Sequence, residues 1–523
     1  MRRTLERLAE YLPAVLAAAL PLVWLPVAFD SFVLPRASLV IVGACLGIGL
    51  VLITGRKSIV TPLRWPLLAA AGAALLALIF SVSWPLSTAG SYLRYESWPM
   101  RVAYLGLLVS AACLARTSKS RDWVIRGFVL GTAVASAEAV WQATSGASFR
   151  PDGNVGNANL LGALIAMAVP LALGRGVRRS PYLFMWGLAV AVMAAGLVVS
   201  TSRSGALGAG AGALALVVMS QRGRRAAAAF VGASLLVAAG LWAILFSPLR
   251  FLNADPGVTR LALWPDAVRM IAGRPLTGWG EDTVGLVFGQ YLRPLYGLVT
   301  FDRAHSGLLD LVATQGAIGA VALGWLLVPI GIAVWQNRFA DSVAMLGAAA
   351  VGYTVWVAFN FDWAPATGPF WLLVGTAWAA TRFSAPAEDR PAEAHESHSP
   401  VADLAAIALV LLGVVLGVLP VLADVWYYHG QSSMSVVADP LQAQYHRGYG
   451  EGLVQAGSLH AGLAELRTAA QLGATDPSLY VELGDLEARL GDNAQARDDY
   501  RHALKIDPYW SPAAAGLARL AGT

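Results

Sequence analysis

Charged residues make up only 13% of this 523-residue chain, while 57% of it is hydrophobic. An ordinary soluble domain carries roughly 25% charged residues. So little charge excludes a water-soluble globular protein of this length and points to a polytopic membrane protein. Cysteine is nearly absent. The two that occur, Cys45 and Cys113, both fall inside apolar runs, which argues against a disulfide framework and against a thiolate metal site. Histidine is scarce in a more informative way: six of the seven lie at residue 395 or beyond, so His305 stands alone in the first 394 residues. A lone histidine makes no metal site without partners, and no His, Cys or paired carboxylate lies near it at ligand spacing. The formal net charge is only +5. Its basic residues follow the loop pattern described next, so no nucleic-acid partner is read from it.

Apolar sequence is what the chain has in abundance. A helix needs about 20 apolar residues to cross the hydrocarbon core. Such runs are predicted near 11–29, 37–54, 66–83, 101–115, 123–141, 158–174, 181–199, 205–220, 226–246, 306–334, 342–360, 366–381 and 402–422. The fold expected is therefore all-α, with 12–13 transmembrane helices. The first run follows MRRTLERLAE, but it contains Pro13 and Pro21 and leads at once into another run without a small-residue cleavage site, so it is read as a retained helix. Short loops rich in Lys and Arg stay in the cytoplasm. The N-terminus (Arg2, Arg3, Arg7) and every second loop are basic, first at Arg56, Lys57 and Arg64, then at Arg116, Lys119, Arg121 and Arg126. Arg175, Arg178 and Arg179 follow, then Arg222, Arg224 and Arg225. This alternation predicts a cytoplasmic N-terminus and puts segment 247–304 and the C-terminal hundred residues outside.

The domains expected are a membrane domain over 1–381, whose outer loop is 247–304, a flexible Pro-, Ala- and Glu-rich linker over 382–400, a further transmembrane helix over 401–423 and a helical module over 424–523. His395 and His398 in the linker are read as solvated bystanders. YVELGDLEARLGDNAQARDDYRHALKIDP, residues 480–508, fits the tetratricopeptide pattern. Leu483, Gly484, Leu486, Ala496, Tyr500 and Ala503 are spaced to interlock two antiparallel helices, and Asp507-Pro508 closes the unit. A weaker copy lies upstream, with Gly457 and Gly491 separated by 34 residues, and the 510–523 tail supplies a capping helix. Two repeats are below the usual minimum for independent stability, so the module is expected to lean on the membrane domain or on an envelope protein partner. The plainer alternative is an unspecialised helical hairpin.

Three polar stretches are not explained by topology. TSRSG puts Arg203 in a short outer connection, against the orientation rule. Either the guanidinium snorkels to the interface, or it is a fixed cation whose planar fork holds phosphate oxygens, with Ser202, Ser204 and Gly205 small enough to admit a head group. TRLALWPDAVRMIAGRPLTGWGED sets Arg260, Trp264, Ala267 and Met270 at helical spacings, then breaks at Gly273 and Pro275 and turns through Gly278 and Gly280. That is the pattern of an interfacial amphipathic helix followed by a tight loop. Arg260, Arg269 and Arg274 give it a cationic side, which a solvated face explains equally well. Finally, RAHSGLLDLVATQG places Arg303 and His305 at the mouth of an apolar helix, where ionisable groups are costly and more often functional than not. An acid/base or hydrogen-bonding role is the expectation for His305.

In this order, TSRSG, the Arg-x3-Trp helix running into PLTGWG, and HSGLLDLVATQG resemble the O-antigen ligase and polymerase superfamily, which also includes protein O-oligosaccharyltransferases. GNVGNANLLGALIAMAVP, with Asn157 and Asn159 opening the sixth run, is similar to the Asn-rich start of that helix in the family. The likeness covers roughly residues 10–381. It departs at Ser306, where the family usually has Asn, and at Thr314, where an acidic residue is usual. The resemblance implies a metal-independent membrane glycosyltransferase without cofactors. Such an enzyme moves a glycan from a polyprenyl-diphosphate carrier to an acceptor at the outer face of a bacterial inner membrane, inverting the anomeric centre. It implies diphosphate binding by Arg203 and Arg260, orientation or deprotonation of the acceptor hydroxyl by His305, and support from Arg303 and Asn159. The partners implied are the lipid-linked glycan donor, a lipid or glycan acceptor and membrane lipids. O-antigen ligase comes first among the expectations, then polysaccharide polymerase, then protein glycosylation. From other classes, a transporter would need charged residues inside the spans, and few are found. A membrane-anchored tetratricopeptide scaffold would have no use for Arg203, Arg260 and His305.

Overall fold

A computed structural model of the protein describes residues 2–55, 58–176, 182–223, 258–293, 301–383 and 400–521, with the isolated positions 225, 228 and 232. Nearly all of the expected run 226–246, most of the expected linker 382–400 and segments 247–257 and 294–300 of the expected outer loop lie outside the described residues. Among the described residues every regular element is helical, because backbone polar groups in hydrocarbon must be satisfied within their own segment. Eight of these helices are long and apolar enough to cross a membrane by length and composition, and Trp98–Leu114 and Asp341–Val357 are shorter apolar helices. The chain is a polytopic all-α membrane protein.

Some boundaries differ from the apolar runs. The first helix, Arg2–Ala19, stops ten residues short of the expected 29. Pro21 supplies no N–H to continue it. The chain turns instead, and the Asp30 carboxylate accepts the N–H groups of Phe32, Val33 and Leu34 at 3.1, 2.9 and 3.0 Å, opening the Val33–Thr54 helix. Ala158–Gly176 and Arg203–Ser220, which carry Asn159 and Arg203 at their starts, and Asp341–Val357 pack through small residues. A Cβ on Gly162 would come within 3.1 Å of Gly205 Cα, and one on Gly212 within 3.1 Å of the Ala348 carbonyl. Lipid supplies no hydrophobic drive between helices, so close backbone approach of this kind supplies the packing energy.

One end of the bundle gathers the loops that matter. Trp363 Nε1 donates to the Leu93 carbonyl at 3.1 Å, Arg36 Nη2 to the Asn154 carbonyl at 2.9 Å, and Arg94 Nε to Asp302 at 2.6 Å. Asp424, on the last membrane helix, accepts the Asp30 N–H at 2.7 Å, the Tyr445 hydroxyl at 3.2 Å and the Tyr92 hydroxyl. A single carboxylate thus ties the first loop, the 80–97 loop and the C-terminal helices together. Basic residues crowd the opposite end, where Arg116 lies over Phe383 and Arg222 over Phe339.

The C-terminal helices form two consecutive pairs, Ala443–Gln455 with Leu459–Gln471 and Pro477–Leu490 with Asn493–Ile506, followed by Ser511–Ala521. Leu483, Leu486, Ala496, Tyr500 and Ala503 are buried between them. The Tyr500 ring lies so close to Gly484 that a Cβ there would stand 2.7 Å from it.

Candidate functional site

The Gly307–Gln336 helix is broken at Gly316, where φ is 66° and ψ −167°. A break inside an apolar helix strands carbonyl and N–H groups that need partners. The PLTGWG loop supplies them. The N–H groups of Trp279 and Gly280 donate to the carbonyls of Ala313 and Thr314 at 2.8 and 3.0 Å, and those of Ala317 and Ile318 donate to Pro275 and Leu276 at 2.8 and 3.2 Å. The two segments approach this closely because Gly278 and Gly316 both adopt positive φ, and a Cβ on Gly278 would strike the Thr314–Gln315 backbone and one on Gly316 the Leu276–Thr277 backbone. PLTGWG and ATQG, separate in sequence, are two halves of one structure.

Past Gly280 the stitched loop delivers two buried carboxylates, Glu281 and Asp282. Glu281 accepts from Gln315 Nε2 at 2.5 Å and from Arg101 Nε at 3.1 Å. Arg101 also pairs with Asp362 at 2.7 Å and lies 3.7 Å from Glu96. Burial pushes the Glu96 carboxyl up to about 7 against the opposing pull of Arg101. Asp282 pairs with Arg303 and accepts the Ser91 N–H at 2.6 Å. Asp310, in the first turn of the broken helix, accepts the Ala304 N–H at 2.7 Å. The Arg303–Ala304 backbone is therefore pinned on both sides.

His305 follows immediately, in the left-handed region at φ 53°, a conformation uncommon for a non-glycine residue and one that clusters at functional sites. Its half-buried ring meets Phe301 and Phe361 edge-on, with centroids 6.1 and 5.3 Å apart. Burial would raise the pKa of the neighbouring Asp302, but Arg94, Arg303 and His305 together hold it below the usual carboxylate value.

A cationic corner forms beside it. Half-buried Arg203 opens the Arg203–Ser220 helix behind Ser202, whose hydroxyl caps the Gly205 N–H at 3.3 Å. A helix N-terminus adds its own partial positive charge there. The Ser202 hydroxyl and Arg150 Nη2 both reach Asn159 Oδ1, at 3.3 and 2.9 Å, while the Asn159 carbonyl accepts Trp356 Nε1 at 2.9 Å. Arg260, near the start of the Val258–Gly273 helix, donates to the Phe359 carbonyl at 2.7 Å, and Trp264 packs against the Phe359 ring. One stretch, Trp356 to Phe361, thus touches Asn159, Arg260 and His305 in turn.

A cavity of about 220 Å³ opens between the membrane helices, lined by Val357 of that stretch and by Gly307, two residues past His305. Its walls are mostly apolar, with Leu311, Leu323, Leu327 and Trp371 along its length, and Arg101, Gln315 and Asp362 supply polar groups.

Of the residues singled out from sequence, Arg203, Asn159, Arg260 and His305 therefore gather around one short connection. Arg303 is buried against Asp282, where it fixes the loop. Sequence reading missed Arg101, Glu281, Asp282, Asp310 and Asp362. Asp282 and Glu281 stood in the quoted PLTGWGED and Asp310 in HSGLLD, and a charged residue bordering an apolar run was the available signal.

No curated protein matches the chain. Residues 188–324, which contain Arg203, Arg260, Arg303 and His305, match the family model described as O-antigen ligase, and this match supports a role for the chain in the assembly of O-antigen or a related polysaccharide.

Proposed function

We propose that the chain transfers a glycan from a polyprenyl-diphosphate carrier to an acceptor hydroxyl at the outer face of the inner membrane, as an O-antigen ligase does. The observation that carries this reading is the Trp356–Phe361 connection, which collects an arginine-bearing corner and a histidine at positive φ and, through Val357, lines an apolar cavity. The apolar cavity suits the first part of a prenyl tail. Arg203 and Arg260 hold the diphosphate and stabilise the charge that grows on it. The acceptor oxygen attacks the anomeric carbon in line, the bond from that carbon to the diphosphate breaks, and the electron pair leaves with the phosphate. His305 receives the hydroxyl proton. Arg303, through Asp282, positions the histidine. The N-terminus lies in the cytoplasm in this reading, and the C-terminal pairs are tetratricopeptide-like repeats on the outer side.

Purified protein reconstituted with a polyprenyl-diphosphate glycan and lipid A core tests the proposal. A charge-assisted hydrogen bond is worth about 1.5–3 kcal/mol, so Arg203→Ala and Arg260→Ala should each lower transfer by at least roughly tenfold. Lysine should rescue poorly because it lacks the fork. General-base help is typically worth about 100- to 10,000-fold, so His305→Ala should be nearly inactive, and activity should survive a metal chelator. Wild-type rates in all three alanine variants would overturn the assignment. In cells, loss of all surface polymer on gene deletion indicates a ligase, and single repeat units indicate a polymerase.

A further inference from the structure

A second cavity, of about 360 Å³, lies between the outer loops and the C-terminal helices. This is within the roughly 300–1,000 Å³ of ordinary small-ligand sites. Leu93, Arg94, Asp302 and Trp363 line one wall, and Gln442, Gln444, Arg447 and Asp476 the other. The two walls are fixed to each other. Asp424 binds both Tyr92 and Tyr445, Gln442 Nε2 donates to the Gly90 carbonyl at 3.3 Å, and Gly473 abuts Ser83 and Leu86 closely enough that only glycine fits.

The lining tells what fits. On one wall Arg94 pairs with Asp302 at 2.6 Å, and on the other Arg447 is shared by Asp476 at 2.7 Å, Glu451 at 2.8 Å and Glu482. Both arginines are occupied by carboxylates, so neither wall offers the free cation that a phosphate or a polyacid needs. The Gln442 and Gln444 amide nitrogens are engaged by the Gly90 carbonyl and the Tyr427 hydroxyl, which leaves their amide oxygens as acceptors. Leu93 and Leu472 add apolar surface. Apolar patches interleaved with amide and carboxylate acceptors match a sugar, whose ring has C–H faces and a rim of hydroxyls. The cavity is also one contact removed from the reacting group: Arg94 lies 5.0 Å from the Phe361 ring, which packs against His305, and Asp302 senses the His305 charge.

We propose that this cavity holds the sugar portion of the acceptor, so that the C-terminal helices form one wall of the acceptor site. The proposal rests on the transferase reading for the meaning of "acceptor", but its binding test does not. The probes are a fluorescent oligosaccharide released from lipid A core and a fluorescent oligosaccharide of the glycan repeat, added to the full chain in detergent. Both share the sugar chemistry; tighter binding of the first marks a lipid-linked acceptor, and of the second a growing polymer. Gln444→Trp fills the cavity from one side and Leu93→Trp, at a residue 45% exposed, from the other. Each should weaken oligosaccharide binding at least tenfold and raise the acceptor KM similarly, with the KM for the lipid-linked donor unchanged. Equal binding by wild type and both variants, or no binding of either oligosaccharide to the wild type, overturns the cavity. Oligosaccharide binding that the variants abolish, in a wild-type protein that transfers nothing, would support the cavity and sink the transferase reading instead.

Discussion

Replacing Glu96 with glutamine should leave the protein as stable as before at acid pH and more stable above neutrality. Glu96 lies just ahead of the Trp98–Leu114 helix and is 1% exposed. One carboxyl oxygen accepts the Tyr104 hydroxyl at 2.6 Å, and the other has no hydrogen-bond partner. Its neighbour Arg101 is closer to Glu281 and Asp362, at 3.1 and 2.7 Å, than to Glu96 at 3.7 Å. Three carboxyl groups thus share one guanidinium, and burial raises Glu96 from 4.5 to about 7. A group whose folded pKa is raised binds its proton more tightly in the folded state, so its stability contribution is complete below about 4.5 and is lost as pH rises through about 7. At about 1.4 kcal/mol for each pH unit of that interval, the loss reaches about 3 kcal/mol by pH 8. Glutamine keeps the shape and the acceptor for Tyr104 and does not titrate. Its second atom meets the same lack of a partner as the protonated carboxyl does. Thermal unfolding in detergent at pH 5, 6.5 and 8 should give curves that coincide at pH 5 and separate at pH 8, with the variant higher. Parallel behaviour at all three values, or a variant less stable at pH 8, would refute the reasoning.

Gly316→Ala should destabilise the protein by more than about 1 kcal/mol, because alanine disfavours positive φ and its methyl would meet the Leu276 carbonyl. A fall in thermal midpoint accompanied by lost transfer checks this, and an unchanged midpoint would deny the stitched break its importance. For sidedness, cysteine at Arg203 or His305 should react with an impermeant thiol reagent in intact spheroplasts while cysteine at Arg178 does not; the reverse labelling would invert the topology.

Much of the architecture was legible because hydrocarbon imposes one rule, that helices must be long and apolar, and composition alone reports it. Boundaries were less legible wherever a side chain supplied the cap. The first helix ended at Ala19 because Asp30 could open the next one after a turn. Arginines in the loops were a different difficulty, since a count of loop charges treats them alike. Arg36 is buried with bonds to four carbonyls, those of Leu20, Pro21, Phe32 and Asn154, and it packs loops together. Its place in sequence resembles that of Arg203, and only the fold separates their surroundings.

The site followed the same division. Single residues such as His305 could be found because they broke a local pattern. The Arg101 cluster could not, because Glu96, Arg101, Glu281 and Asp362 come from three distant parts of the chain. Yet that cluster concentrates carboxyl groups beside the apolar cavity that Arg101 and Asp362 line. Around Arg101 the carboxyl groups outnumber the guanidinium three to one, and Asp302, in the field of His305, is held ionised by Arg94. Across the Trp356–Phe361 connection stand Arg150, which reaches Asn159, and Arg260, which reaches the Phe359 carbonyl, with Arg203 next to Ser202, whose hydroxyl also reaches Asn159. In the proposed reaction a proton moves toward the histidine while an electron pair moves toward the diphosphate. Carboxylates fixed near the histidine would favour the first movement and guanidiniums fixed at the diphosphate the second, and groups in place before substrate arrives need not reorganise as the charge develops.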